Sequence, residues 1–241
     1  DVMYNKLAKD KEGNLKVVTE TIPVADLFGE KDSNNLFFSF ETIFEPYQEL
    51  SYDKIDCIDL AVKNMNNEWL RALEVKLTVL PDKATSEDKE ENWGSEMVVR
   101  SATTQYCAFG MYDKLKDKKI DIHNIFDPYC SKIGAWDNDF EVTSKYSEIQ
   151  GALEKFEKNF YQYQQPLLMQ TIWKTNGQSP ELKEDAFDII VWSDYAISRL
   201  FIDRKIDSHK MTRPMRATVK LARCLWELSK SGKIHINEIY R

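Results

Sequence analysis

Glycine is scarce in this chain, eight residues in 241. None of them falls in G-x-G-x-x-G or G-x-x-x-x-G-K-[S/T], so a dinucleotide site or P-loop has no phosphate cradle to build on. G-x-S-x-G and H-E-x-x-H are missing as well, which removes the commonest serine hydrolases and zinc proteases. The three histidines, His123, His209 and His235, are scattered, and Cys57, Cys107, Cys130 and Cys224 form no C-x-x-C pair. A zinc site of ordinary spacing is not expected, and reduced, mostly buried thiols in a cytosolic setting are. No apolar run approaches the ~18–20 residues that a membrane span requires, so a soluble protein with no membrane association is expected. The opening residues lack the basic and apolar segments of a secretory leader. The first residue is Asp1 rather than Met, and a missing N-terminal segment is expected.

Apolar material is abundant. Hydrophobic residues make up 42% and include six Trp, eleven Tyr and twelve Phe, enough for a packed core over a single domain spanning 1–241. The net charge of −7 argues against a simple polybasic nucleic-acid binder. Its distribution points the other way. Residues 204–241 hold ten Lys and Arg against three acidic residues, a net +7, which leaves −14 on residues 1–203.

Along the chain, residues 1–25 read as short extended runs. Residues 34–50, with Phe37, Phe38, Phe40 and Phe44 and with Glu41 and Glu45 four apart, read as one helical face. Residues 82–93 are acidic and aperiodic, as in an exposed loop, and a helix is expected from about 94 to 112, opened by Ser95 and Glu96. Residues 127–140 read as a connector. Ile149, Leu153, Phe156 and Phe160 predict a helix over about 146–163. Residues 186–192 read as a buried strand. Pro214 predicts the first turn of a last helix running to about Ser229, with Gly232 beyond its end.

The stretch 56–80 is the most informative. Folded as a hairpin about Asn66-Asn67, opposed residues have numbers that sum to 133, which sets Asp59 opposite Glu74. Lys76 then shares their face, while Ile58, Leu60, Val62, Leu73, Val75, Leu77 and Val79 form an apolar reverse broken only by Arg71. Opposed carboxylates repel, and a divalent cation removes that repulsion. Mg²⁺ takes hard oxygen ligands, and a nearby lysine can orient or help deprotonate an attacking water. The plain alternative is a solvated charged face, which Glu-x-Lys by itself does not exclude, since Glu87-Asp88-Lys89 and Glu181-Leu182-Lys183 also fit it. A turn one residue longer or shorter would put Asp59 on the wrong side.

In the last helix, Arg216, Lys220, Arg223, Glu227 and Lys230 form a polar stripe, and Met215, Val219, Ala222 and Trp226 form a core stripe one residue back. The polar stripe suits DNA phosphates, with Arg213 and Arg216 the stronger candidates, Lys220 a further one, and a solvated face the alternative for its lower half. Arg100 is a further candidate, or an ion-pair partner of Glu96. Trp136, Trp173, Trp192 and Trp226 read as core.

Asp59 with Glu74-Val75-Lys76 resembles the PD-(D/E)xK nuclease signature. Leu36–Glu41, Leu73–Asp82, Gly94–Arg100, Val191–Asp194 and Thr212–Pro214 are similar to type II restriction endonucleases of the HindVP/HgiDI kind. The resemblance covers roughly 35–230. It implies an α/β (α+β mixed) fold with a PD-(D/E)xK core, a central mixed sheet flanked by helices. It also implies Mg²⁺-dependent cleavage of double-stranded DNA at a short palindromic site by a homodimer in a prokaryotic cytoplasm. Asp59 and Glu74 would hold metal and Lys76 would position the water. Glu41, placed on an upstream helix, would lend the metal a further acid, or else be an ordinary exposed glutamate. A repair or junction nuclease of the same superfamily, and a non-catalytic DNA-binding protein, remain alternatives.

Overall fold

The structure is a computed structural model that describes residues 1–73, 101–118, 121–163, 173–176, 179–182 and 213–239. The expected loop at 82–93, the opening of the helix from 94, the strand at 186–192, and Glu74, Lys76, Arg100, His209 and Trp192 lie outside the described residues. What is described is a mixed α and β chain whose named sheets are all antiparallel.

The N-terminal runs form a hairpin of β1 (Val2–Lys9) and β2 (Leu15–Ile22). Its turn is organised by Asp10, whose carboxylate accepts from the backbone N–H of Glu12 and Asn14 and pairs with Lys16 at 2.9 Å, while Gly13 takes the positive φ of 84°. Leu7 anchors the hairpin in the core. The short helix α1 (Val24–Leu27) then leads to a three-stranded sheet of β3 (Phe37–Thr42), β4 (Ile58–Lys63) and β5 (Trp69–Leu73), in the order β3-β4-β5. Between β3 and β4 lies a one-turn helix, α2 (Glu45–Gln48).

The helical reading of residues 34–50 is thus corrected: Phe37–Thr42 is strand, only Glu45–Gln48 is helix, and Glu41 lies on β3. Aromatic residues favour the pleated surface, and β3 pairs with β4 alone among the described strands. Phe37, Phe38 and Phe40 are largely exposed and form no core stripe.

The hairpin of β4 and β5 keeps the expected pairing by an unexpected route. Leu60↔Leu73, Ala61↔Ala72 and Val62↔Arg71 all sum to 133. The turn itself is centred one half-step earlier: Asn64 N–H donates to the Glu68 carbonyl, Asn67 sits at φ 63°, and Lys63 pairs with Trp69. This is a three-residue loop with a left-handed residue, accompanied by a bulge at Leu70. The extra residue at Leu70 restores the register that the odd loop had shifted.

The helices α3 (Ser101–Leu115), α4 (His123–Cys130), α5 (Asp139–Ser144), α6 (Tyr146–Phe160) and α7 (Arg213–Ser231) follow, with the small hairpin β6 (Trp173–Asn176) and β7 (Ser179–Leu182) before α7 and the turn α8 (Ile236–Ile239) after it. The connector expected at 127–140 begins later, because Ile125, Phe126 and Cys130 are buried and carry α4 through Pro128. In α6 the four expected residues are buried together with Tyr146, Ala152 and Glu157. Burying each large apolar side chain contributes about 1.5–3 kcal/mol, so packing more than intrinsic propensity holds this helix. α7 packs against α3, α4 and α6. Its expected core stripe is buried, and so are Leu221, Cys224, Leu225 and Leu228, which makes it a central helix with one polar seam. Gly232 ends it at φ 73°, with its N–H on the Leu228 carbonyl.

Beyond α7 the chain returns to the segment ahead of β4. Ile234 N–H donates to the Leu50 carbonyl, Tyr52 N–H donates to the Ile234 carbonyl, and Ser51 and Ile234 form a parallel bridge. His235 stacks on Tyr52 at 4.6 Å and its Nδ1 lies 3.6 Å from Asp53. No helix among the described residues is long and apolar enough to cross a membrane. Cys107, Cys130 and Cys224 are buried and Cys57 is exposed, all four free. Burial pushes the Cys130 thiol up to about 12.

Candidate active site

β4 is buried on both faces: Ile58, Leu60 and Val62 on one, Ala61 on the other. Such a strand reads as a near-continuous apolar run, and Asp59 interrupts it with a half-buried carboxylate. A merely solvated face would leave Ala61 open. Instead Ala61 is 0% exposed, so Asp59 is held at the margin of a covered surface.

Glu41 comes next to Asp59 by register. Phe40 pairs with Leu60 and Thr42 with Ile58, so Glu41 occupies the position of β3 that faces Asp59. Regular pairing lapses there, and Glu41 adopts φ 43°, a left-handed backbone that costs a non-glycine residue roughly 1–2 kcal/mol. Strain of this kind persists where surrounding structure enforces it, and it clusters at functional sites. Glu41 is exposed, and its carboxylate makes no hydrogen bond or ion pair with the described residues. Two of the sequence-predicted site residues are therefore adjacent, on neighbouring strands rather than on a strand and a helix.

Four positions beyond Asp59, Lys63 lies over the Trp69 ring at 3.7 Å and donates to Asn67 at 3.0 Å. Trp69 in turn donates to Glu45 at 2.8 Å and packs edge-on to Phe44. Arg71, the one polar residue of the apolar face, is buried, 5.9 Å from the Phe28 ring.

Asp59 and Glu41 offer hard oxygen donors of the kind Mg²⁺ takes. Among the described residues no group of three His, Cys, Asp or Glu converges on a metal position. The third expected acid, Glu74, and Lys76 lie outside the described residues.

The basic seam of α7 is more heavily engaged than its spacing implies. Arg213 opens the helix. Arg216 makes a bidentate pair with Asp139 of α5, at 2.8 and 3.0 Å. Lys220 is half-buried, and its pKa is lowered by burial and by the neighbouring Arg216 and Arg223. Arg223 lies 5.1 Å from the Trp136 ring and donates to the Ile239 carbonyl, and burial lowers its pKa as well. Lys230 covers the Trp226 ring and pairs with Glu227. The lower half of the seam is thus packed in place. Trp226 is buried as expected and donates to Asp127.

Sequence reasoning passed over Tyr106 of α3. Its hydroxyl reaches the carbonyls just ahead of β4, yet in the sequence it is one more buried aromatic at helical spacing.

No solved structure matches the chain. Among curated proteins it is 35% identical over 204 residues to the type II restriction enzyme HgiDI of Herpetosiphon aurantiacus, covering 82% of this chain and 56% of that protein. It is 25% identical over 233 residues to the probable type II restriction enzyme HindVP of Haemophilus influenzae, covering 94% of this chain and 60% of that protein. The chain therefore spans somewhat over half the length of these relatives. The HindVP restriction endonuclease family matches residues 1–241, and the chain belongs to that family.

Proposed function

We propose that this chain is the catalytic part of a type II restriction endonuclease, a single domain that hydrolyses double-stranded DNA at a short palindromic site with Mg²⁺ bound. The observation that carries the site is the register of β4 and β5. Leu60 is paired to Leu73, and Glu41 lies opposite Asp59 in the register of β3 with β4. If Glu74 continued that ladder as the family resemblance implies, the carboxylates of Glu41, Asp59 and Glu74 would converge in the manner of a PD-(D/E)xK core. Together they would hold the metal, and Lys76 would share their face. A divalent cation held there would neutralise charge building on the attacked phosphate and lower the pKa of a nearby water. The chain's own share would be to hold the carboxylates in place, and to orient the attacking water through the Lys76 ammonium. Family membership supports DNA as substrate.

Cutting both strands of a palindrome calls for two-fold symmetry, hence a homodimer. The setting would be a bacterial cytoplasm. Arg100, Arg213, Arg216 and Lys220 are the proposed DNA contacts.

Digestion of a plasmid of known sequence tests this directly. Discrete fragments are expected with Mg²⁺ and intact plasmid with EDTA. A smear, or cutting confined to branched DNA, would overturn the site-specific reading.

A further inference from the structure

We propose that Tyr106 is a positioning residue for Asp59, an inference that rests on Asp59 being a metal-holding carboxylate. The backbone ahead of β4 belongs to no strand: the ladder with β3 ends at Thr42↔Ile58. Its polar groups are met instead by two side chains. Gln48 of α2 donates to the Asp53 carbonyl at 2.9 Å and accepts from Ile55 N–H at 3.1 Å. Tyr106 of α3 donates to the Asp56 carbonyl at 2.7 Å, with the Cys57 carbonyl at 3.2 Å as the second acceptor of the same proton.

The tyrosine is itself fixed. It is 6% exposed, and its ring stacks on Tyr47 of α2 at 6.4 Å with an interplanar angle of 26°. Asp59 follows two residues after Cys57. On the β3 side the ladder pairs Ile58 and Leu60 but skips the position between them, where Asp59 lies opposite the left-handed Glu41, so the regular ladder that steadies an ordinary strand residue lapses at Asp59 itself. The Tyr106 hydroxyl supplies a fixed point in its place, tying the approach to Asp59 to the long helix α3. A side chain that orients a metal-holding group through a hydrogen bond typically changes metal affinity by 10–100-fold when removed.

Tyr106→Phe keeps the stacked ring and deletes only the hydroxyl. Mn²⁺ binding by calorimetry to the whole chain is expected to weaken about 10-fold. The Mg²⁺ needed for half-maximal cleavage should rise in parallel, with the rate largely recovered at saturating metal. DNA affinity without divalent metal, read by gel shift, should not change. A lower melting temperature with unchanged Mn²⁺ affinity would overturn the proposal, because Tyr106 would then be packing alone. If Tyr106→Phe does not fold, 3-fluorotyrosine at position 106, a stronger donor of nearly the same shape, is expected to tighten Mn²⁺ binding, and unchanged binding would overturn the proposal. Asp59→Asn separates the two levels: if it leaves Mn²⁺ binding intact, the metal assignment fails, whatever Tyr106 does.

Discussion

Glu41 faces Asp59 across β3 and β4 at the one place where that ladder skips a pair, and it does so with a left-handed backbone. Two acidic residues opposed in register, one of them on a strained backbone, are costly to folding and would be useful to a cation.

The first prediction follows from that opposition. Glu41→Gly should relieve roughly 1 kcal/mol of backbone strain and raise the melting temperature by about 2–4 °C, while cleavage falls. Glu41→Gln keeps the strain and loses the charge, so its melting temperature should move less while cleavage also falls. Thermal shift and plasmid cleavage on the same preparations check both. A glycine variant that is no more stable would show that the φ of 43° carries no strain.

The second concerns the residues proposed to complete the site. Glu74→Ala and Lys76→Ala are each expected to abolish cleavage, at least about 100-fold by analogy with removal of other charge-stabilising groups, while gel shift in Ca²⁺ still shows DNA binding. Full activity in either variant would remove that residue from the site.

The third turns on Arg216 and Asp139. Both side chains are about half exposed, so the pair contributes under about 1 kcal/mol to stability. The forked geometry that Asp139 satisfies is the same one a phosphate satisfies. Asp139→Asn should therefore remove the competitor for Arg216 and tighten DNA binding at near wild-type salt slope, whereas Arg216→Ala should flatten the dependence of log affinity on log salt by about 0.9. Identical salt slopes in all three proteins would make the pair purely structural.

The fourth is a pH effect on the N-terminal hairpin. The Lys16 ammonium and backbone N–H donors hold the Asp10 carboxyl down at about 2, below the usual 3.8. A depressed folded-state pKa gives a contribution that is complete above the unfolded value and lost as pH falls through about 2. The stability gap between wild type and Asp10→Asn should thus close between about pH 4 and pH 2. Urea midpoints measured across that range test it, and a gap independent of pH would argue against the Asp10–Lys16 pair.

Long, strongly patterned segments were legible from the residues alone. α6 and α7 fell where their apolar spacing put them, and Gly232 ended α7 in the left-handed conformation that favours glycine. The aromatic stretch around Phe37–Phe44 misled because Glu41 and Glu45 at a spacing of four imitate a helix face, whereas Phe37, Phe38 and Phe40 are exposed on β3 and offer no buried pattern to read. Asp59 stands out because it interrupts an apolar strand. The register of β4 with β5 fell as expected at Leu60, Ala61 and Val62, but the symmetric turn assumed for it did not: the three-residue loop and the Leu70 bulge are two opposite one-residue shifts. Arg216 shows the limit of spacing arguments, since nothing local to α7 announces Asp139, 77 positions away.

The bridge between Ser51 and Ile234 joins points separated by 183 positions. A contact that spans so much chain forms late, because the intervening loop has to close before the contact repays it. During synthesis, this one tie on the segment leading into β4 therefore forms only after translation has passed Ile234. A chain interrupted before that point would lack one of the ties ahead of Asp59, while those made by Gln48 and Tyr106 would already be in place.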